Sequence, residues 1–79
     1  MLWENEMIIY KRKVTLEDIC NLKNHEKLIY FKTEDIAITI DKVDYNYVFR
    51  KREISENEMI DEVVLKTVDK TMEHIENQM

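Results

Sequence analysis

The chain contains neither glycine nor proline, although a chain of this length would ordinarily include about nine or ten of the two together. Glycine adopts left-handed backbone conformations without steric cost, and proline fixes the backbone of many turns. Every turn must therefore be built from Asn, Asp and other ordinary residues. The same absence excludes glycine-rich phosphate loops and dinucleotide-binding turns, in which the backbone approaches the ligand closely. Nucleotide-dependent enzymes are accordingly disfavoured.

Cysteine and histidine content limits the chemistry further. The sequence has a single cysteine, Cys20, and two distant histidines, His25 and His74. One thiol cannot form an intrachain disulfide, and no spacing typical of a metal site occurs. We expect no cofactor, no metal and no catalytic residues. Cys20 is expected on the core side of a first helix, where a thiol is usually inert.

Length and hydropathy predict one domain covering residues 1–79, in the cytoplasm. The N-terminal residues carry no signal-peptide pattern, and the apolar run at residues 7–10 is too short to span a membrane. A domain of this size buries only about 60% of the surface that its unfolded chain exposes. Because disulfides and metals are not available, helix packing or oligomerisation must supply stability.

Two stretches of the sequence share one pattern. YKRKVTLEDI at residues 10–19 and FRKREISENEM at residues 49–59 both run from an aromatic residue through three cations to a β-branched residue, a hydroxyl and an acid. The hydroxyl and the acid three residues later form a potential capping box, which marks the start of a helix. The pattern therefore predicts a strand that leads into a helix, twice. Asn24 is expected to end the first helix in a left-handed conformation.

The C-terminal third predicts one long helix. From residue 55 onward, apolar residues recur at intervals of three and four, which indicates an amphipathic helix of about 24 residues. Strands are predicted at residues 3–13, 27–32, 36–40 and 45–50. The predicted fold is α+β with the order β-α-β-β-β-α. In it, a short helix and the long C-terminal helix pack on one face of a small antiparallel sheet.

The charge of the chain is unevenly distributed. Residues 53–79 hold eight acids and two cations, a net charge of −6, within a chain of net charge −5. On the predicted helix, acids gather on one side: Glu58, Glu62, Asp69, Glu73 and Glu76. Carboxylates four residues apart rise about 6 Å along a helix, close to the phosphate spacing of a nucleic-acid strand. This stripe is a candidate site for a partner protein with a basic surface, although solvated helix faces are commonly charged as well.

The apolar side of the same predicted helix is wider than one sheet requires. It spans about 200°, compared with about 100° for a helix that lies on one sheet. Leu65, Met72 and Met79 fall at its far edge. They are candidates for homodimerisation, or for contacts with Trp3 or the first helix within one chain.

Two basic triplets suggest an alternative function. Cations and aromatic residues combine in two places: Lys11, Arg12 and Lys13 after Tyr10, and Arg50, Lys51 and Arg52 after Tyr45 and Tyr47. Strand aromatics with flanking cations can stack single-stranded bases. Strand ends also commonly carry solvated Lys and Arg, which neighbouring acids neutralise.

Together these features predict a small stoichiometric protein-binding module and not an enzyme. Residue usage is rich in Ile, Lys, Glu and Asn, with a single alanine, and is typical of AT-rich genomes and their phages. We therefore expect a phage or mobile-element accessory inhibitor that docks an acidic helix on a basic surface of a nucleic-acid-handling host protein. The alternative is a small nucleic-acid-binding regulator that uses the basic triplets.

Overall fold

Five strands and two helices make up the computed structural model, which describes the backbone of residues 7–78 and the side chains of residues 8–78. The elements are β1 (Met7–Lys11), α1 (Leu16–Cys20), β2 (Glu26–Phe31), β3 (Ile36–Val43), β4 (Asn46–Glu53), β5 (Glu58–Leu65) and α2 (Val68–Glu76). The strands form one sheet in the order β1-β2-β3-β4-β5. β1 runs parallel to β2, whereas the other neighbours are antiparallel.

Both helices pack on the same face of this sheet. Alternate residues of the central strands point toward the helices, among them Ile38, Ile40 and Phe49, which are fully buried. Ile19 of α1 and Ile75 of α2 join them in a single core cluster. The opposite face of the sheet is not covered by either helix. We call it the open face.

The first predicted capping box is present. Thr15 is the N-cap of α1; its Oγ1 accepts a hydrogen bond from the backbone N–H of Asp18 at 3.2 Å, and Asp18 Oδ2 accepts one from the backbone N–H of Thr15 at 2.9 Å. The hydrogen bond from the Thr15 backbone lowers the pKa of Asp18 below its ordinary value; burial opposes this shift, and nearby Lys11 adds to it. The ammonium of Lys11 lies 3.2 Å from the Asp18 carboxylate.

The prediction of a long C-terminal helix was wrong. Residues Glu58–Leu65 form strand β5, and α2 is only nine residues long. Ser55 lies in the turn that joins β4 to β5 and does not cap a helix. Alternate residues of β5 pair with β4, so that Val63 lies opposite Phe49 and Leu65 opposite Tyr47. Burial at a period of two, supplied by hairpin pairing with the preceding strand, therefore overrides the local helical spacing.

α2 begins much later than predicted, at its own cap. The side chain of Thr67 accepts a hydrogen bond from the backbone N–H of Lys70 at 3.0 Å. Within the helix, the buried hydroxyl of Thr71 donates to the backbone oxygen of Thr67 at 2.8 Å. In the predicted helix from residue 55 onward, Thr67 and Thr71 would both have been interior positions, and neither would have been a cap.

The predicted all-antiparallel sheet is also corrected, because α1 returns the chain so that β2 pairs with β1 in parallel. Strands β1 to β4 overlap the four predicted strands, and β3 continues to Val43. Trp3 and Met79 lie outside the described residues.

Because the chain has no glycine, its left-handed backbone conformations occur at other residues. Asp44 (φ 58°) and Asn57 (φ 52°) take this conformation in the two tight turns of β3-β4 and β4-β5. After α1 the left-handed residue is His25 (φ 71°) and not Asn24, as was predicted. Asn24 instead accepts a hydrogen bond through Oδ1 from the backbone N–H of Asp44, at 2.6 Å. This bond ties the α1-β2 connection to the β3-β4 turn.

Candidate functional site

A groove runs between the two helices on the side away from the sheet. Leu16, in the first turn of α1, lies in both halves of this groove and is 48% exposed. One half, of about 590 Å³, is bordered by α1 and the start of α2, including Cys20 and Val68. The other half, of about 420 Å³, follows α2 and includes Met72. Val68 and Met72 are partly buried and pack against the core.

The rim of this groove is acidic. The exposed carboxylates that border it are Glu17 from α1 and Asp69, Glu73 and Glu76 from α2. One cation, Lys70, borders it as well, with its ammonium 3.8 Å from Glu73. We call this surface the helical groove, with Leu16, Val68 and Met72 as its apolar floor and the four carboxylates as its rim.

The predicted acidic stripe is divided between two elements. Asp69, Glu73 and Glu76 lie on α2, but Glu58 and Glu62 lie on β5. Glu62 accepts a hydrogen bond from Arg50 at 2.7 Å, and Glu58 pairs in register with Glu53 at the end of the β4-β5 hairpin. The five acids therefore do not form one helical face, because the helix that was to carry them does not exist. The three acids of α2 remain together beside the helical groove.

The predicted self-association residues pack within the chain. Leu65 and Met72 are half-buried and lie against the core cluster. Met79, the third, is outside the described residues. Leu65 and Met72 thus have a role in the monomer, and only Met72 also borders the helical groove.

The two basic triplets are dispersed. Three of their cations have acidic or amide partners: Lys11 lies near Asp18, Arg50 bonds Asp41 at 2.8 Å and Glu62 at 2.7 Å, and Lys51 donates to Gln78 at 3.1 Å. The hydrogen bond to Glu62 raises the pKa of Arg50 above its ordinary value; burial opposes this shift, and the Asp41 carboxylate supports it. Arg12, Lys13 and Arg52 are exposed.

The tyrosines that were to accompany the triplets are separated as well. Tyr47 is buried on the helix side of the sheet, with the Lys42 ammonium 5.4 Å from its ring centroid. Tyr45 lies in the β3-β4 turn and is 88% exposed. Arg52 is at the other end of β4. The predicted base-stacking set therefore does not share one surface.

The open face carries exposed apolar side chains that the sequence analysis did not single out. Tyr10 of β1 and Phe31 of β2 lie there with parallel rings, their centroids 6.3 Å apart. The available signal was in the strands themselves, because MIIYK and EKLIYF place apolar residues at consecutive positions and hence on both faces.

The potentially reactive residues lie in three different parts of the fold. Cys20 is exposed beside the helical groove, so its predicted core position was wrong. His25 is exposed in the α1-β2 connection. His74 is half-buried, with Nε2 3.1 Å from the Asp61 carboxylate. Within residues 7–78, no group of three or more His, Cys, Asp or Glu residues is placed to hold a metal ion. In the same range, neither helix is long and apolar enough to cross a membrane.

No protein-family model matches the chain, and comparison with curated proteins and with solved structures found no match either. The surfaces of the chain itself therefore carry the functional inference.

Proposed function

We propose that this protein is a protein-binding module whose helical groove receives a basic amphipathic segment of a partner protein. The observation that carries the proposal is the position of Leu16, which is 48% exposed between two hollows bordered by carboxylates. Amphipathic helices are commonly recognised by grooves of this type, in which apolar anchors spaced three and four residues apart occupy the floor.

Charge complementarity selects the class of partner. Asp69, Glu73 and Glu76 border the floor from one helix, and Glu17 borders it from the other helix, in the half of the groove that it shares with Asp69. A segment with Lys or Arg flanking its apolar anchors brings opposite charge to both rims. Such complementarity increases the association rate and suppresses acidic competitors, and it weakens as salt screens the exposed charges.

Nucleic-acid-handling proteins are one source of such segments, because they neutralise phosphates with Lys and Arg. Inhibition of a host protein of this class, in the cytoplasm, is consistent with this proposal. In this proposal, an apolar contact at Leu16 anchors the partner, and the acids of α2 orient it. It differs in this respect from the sequence-based expectation, in which one long acidic helix made the whole contact.

The alternative function, nucleic-acid binding through the basic triplets, has less support. Lys11, Arg50 and Lys51 each have a partner within the chain. A nucleic acid would have to displace those partners, and the negative net charge of −5 opposes its approach.

A model peptide tests the proposal. The probe is a fluorescein-labelled helical peptide with Leu at spacings of three and four and Lys elsewhere, titrated with the protein and followed by anisotropy. A scrambled peptide of the same composition is the control for charge alone. We expect the amphipathic peptide to bind more tightly than the scrambled one, with an affinity that falls as salt rises.

Two protein variants locate the binding. Leu16→Lys should abolish binding because it removes the apolar anchor, and Glu73→Lys should weaken binding at least about tenfold, as expected for a charge reversal at a contact. Glu34→Lys is the matched control, because it makes the same charge change at an exposed acid in the β2-β3 turn. Equal weakening by Glu34→Lys and Glu73→Lys would reduce the effect to net charge and remove the groove from the proposal.

Cys20 supplies a second, local readout. It is exposed and borders the helical groove. A bound peptide should slow its reaction with a thiol reagent, whereas the scrambled peptide should not. An unchanged rate at saturating peptide would place the peptide elsewhere.

A further inference from the structure

We propose that the open face, which lies on the side of the sheet opposite the helical groove, is a self-association surface. A second copy of the chain packs on it face to face. This inference is independent of the proposed groove function. It rests on the apolar content of the open face, on the internal pairing of its charges, and on its area.

Apolar side chains occupy two regions of the open face. The first, which we call the aromatic corner, consists of Ile8, Tyr10, Ile29 and Phe31 on β1 and β2, with Tyr10 64% and Phe31 49% exposed. The second, the valine corner, consists of Val43, Val48 and Val64 on β3, β4 and β5, with Val64 57% exposed. Contiguous exposed apolar surface of this kind marks interaction sites in soluble proteins.

Charged residues between the two corners are already paired with one another. Lys27, Asp41, Arg50 and Glu62 cross four adjacent strands as a chain of ion pairs, which we call the ionic row. Arg50 joins Asp41 at 2.8 Å to Glu62 at 2.7 Å, and Lys27 lies 3.9 Å from Asp41. Because these charges compensate each other, an occupant need not bring a net charge of its own. A second copy meets this condition. For a nucleic acid, which needs cations that are not engaged, the ionic row offers none, and Arg52 is exposed at one end of β4.

The area of the open face suits a dimer of this size. The five strands, about 4.8 Å apart and up to eight residues long at about 3.3 Å per residue, give a projected face of about 600 Å². Standard interfaces bury about 800 Å² of accessible surface per partner. Since protruding side chains add accessible area beyond the projection, one whole open face approaches this size.

A two-fold axis gives the arrangement. The two corners lie diagonally opposite each other on the face. If the axis lies between the two sheets and crosses the middle of β3 diagonally, the aromatic corner of one copy therefore covers the valine corner of the other, and the contact is repeated by symmetry. Two such faces form a sandwich, in which sheets pack about 10 Å apart.

Sedimentation velocity of the full chain, from about 10 μM to about 1 mM, tests the proposal over the range where a Kd of 1 mM or tighter is detectable. We expect a dimer that forms with increasing concentration. The double variant Tyr10→Lys/Phe31→Lys should be monomeric with an unchanged far-UV circular dichroism spectrum. Val64→Lys, in the other corner, should shift the equilibrium in the same direction and serves as a second probe if the double variant does not fold.

Two controls separate this surface from others. Tyr45→Lys places the same new charge on an exposed aromatic residue in the β3-β4 turn and should leave the dimer intact. Leu16→Lys should also leave it intact while abolishing peptide binding, so that failure of the groove and failure of the dimer are distinguishable.

Chemical cross-linking gives a direct reading of the geometry. In a Cys20→Ser background, Thr39→Cys on β3 should form covalent dimers with a short bis-maleimide, since β3 lies at the axis. Lys70→Cys on α2, on the helical side of the sheet, should not.

A wild-type chain that stays monomeric at about 1 mM would overturn the proposal. Equal dissociation by Tyr45→Lys would also overturn it. So would a monomer that binds a labelled single-stranded oligonucleotide through Tyr10 and Phe31, because the open face would then be a nucleic-acid surface.

Discussion

The imidazole of His74 stands edge-on against the buried ring of Phe49, with ring centroids 4.4 Å apart and planes at 82° to each other. Its Nε2 is 3.1 Å from the Asp61 carboxylate. α2 is therefore fastened to two neighbouring strands by one side chain, which contacts β4 through its ring and β5 through its nitrogen.

Replacing His74 separates these two contacts. We expect His74→Ala to lower the free energy of unfolding by about 1–2 kcal/mol, because it removes an aromatic contact and a polar one. His74→Phe keeps a ring against Phe49 and should lose less. Urea denaturation of both variants is the measurement, and equal losses would show that the ring contact contributes nothing.

The three hydroxyl residues that precede apparent helix starts should differ in their effect on stability. Thr15→Ala and Thr67→Ala each remove an N-cap and should lower the free energy of unfolding by about 1 kcal/mol. Ser55→Ala lies in a turn and should change it by less than about 0.5 kcal/mol. A loss at Ser55 as large as at Thr15 would argue for the helix that the sequence pattern predicted.

Asn57 provides a test in which the two folds predict opposite signs. In the β4-β5 turn its left-handed backbone tolerates Asn better than Ala, so Asn57→Ala should destabilise the protein by about 1 kcal/mol. In a helix the same change would stabilise, because Ala has the higher helix propensity. Asn57→Gly is the control for backbone conformation and should be close to neutral. Thermal unfolding distinguishes the outcomes.

These variants test residues 55–65, which the sequence predicted to be helical and which form a turn and strand β5. Thr15 with Asp18 and Ser55 with Glu58 have the same spacing, but only the first pair caps a helix. The second pair precedes β-branched residues that fit both a helical and an alternating pattern. Contacts with β4, which precedes β5 by a turn of four residues, decide between the two patterns, and the apolar spacing of residues 58–65 does not by itself contain those contacts. The turn-forming residues Asp44 and Asn57 were foreseeable in kind, because the chain has no glycine.

The candidate site was predictable only in part. The acids of α2 were identified from their charge, yet the groove depends on Leu16 of α1, which lies more than fifty residues away in sequence. Leu16 was not among the predicted site residues, since nothing in a short helix indicates which apolar residues remain uncovered. The dispersal of the basic triplets likewise follows from strand register, which sets the neighbours of Arg50.

Acid should remove the contribution of Asp18 to stability. Its pKa is lowered in the folded state, chiefly by the hydrogen bond from the Thr15 backbone. A lowered folded-state pKa means stabilisation that is present above the unfolded-state value, about 3.9 for an aspartate, and is lost as the pH falls through the folded-state value. Wild type and Asp18→Asn should therefore differ at neutral pH and converge in acid. A difference that persists in acid would indicate a contribution other than ionisation.

The ionic row should respond unequally to loss of its members. Asp41 is the more buried carboxylate, with 16% of its side chain exposed compared with 52% for Glu62. Arg50→Met leaves Asp41 with only the longer contact to Lys27, so it should destabilise more than Glu62→Gln, by about 1–3 kcal/mol compared with less than about 1 kcal/mol. Urea denaturation at low and high salt checks the order, and the reverse order would show that Glu62 is the main partner of Arg50.

Placing both helices on one side of the sheet has a consequence for valency. In a face-to-face pair, the two helical grooves lie on opposite outer surfaces and point away from each other. One short segment cannot then reach both, whereas two separate partner chains, or two distant sites on one long chain, can be held at once. Bridging of that kind raises the apparent affinity through effective concentration, and no additional contact is required.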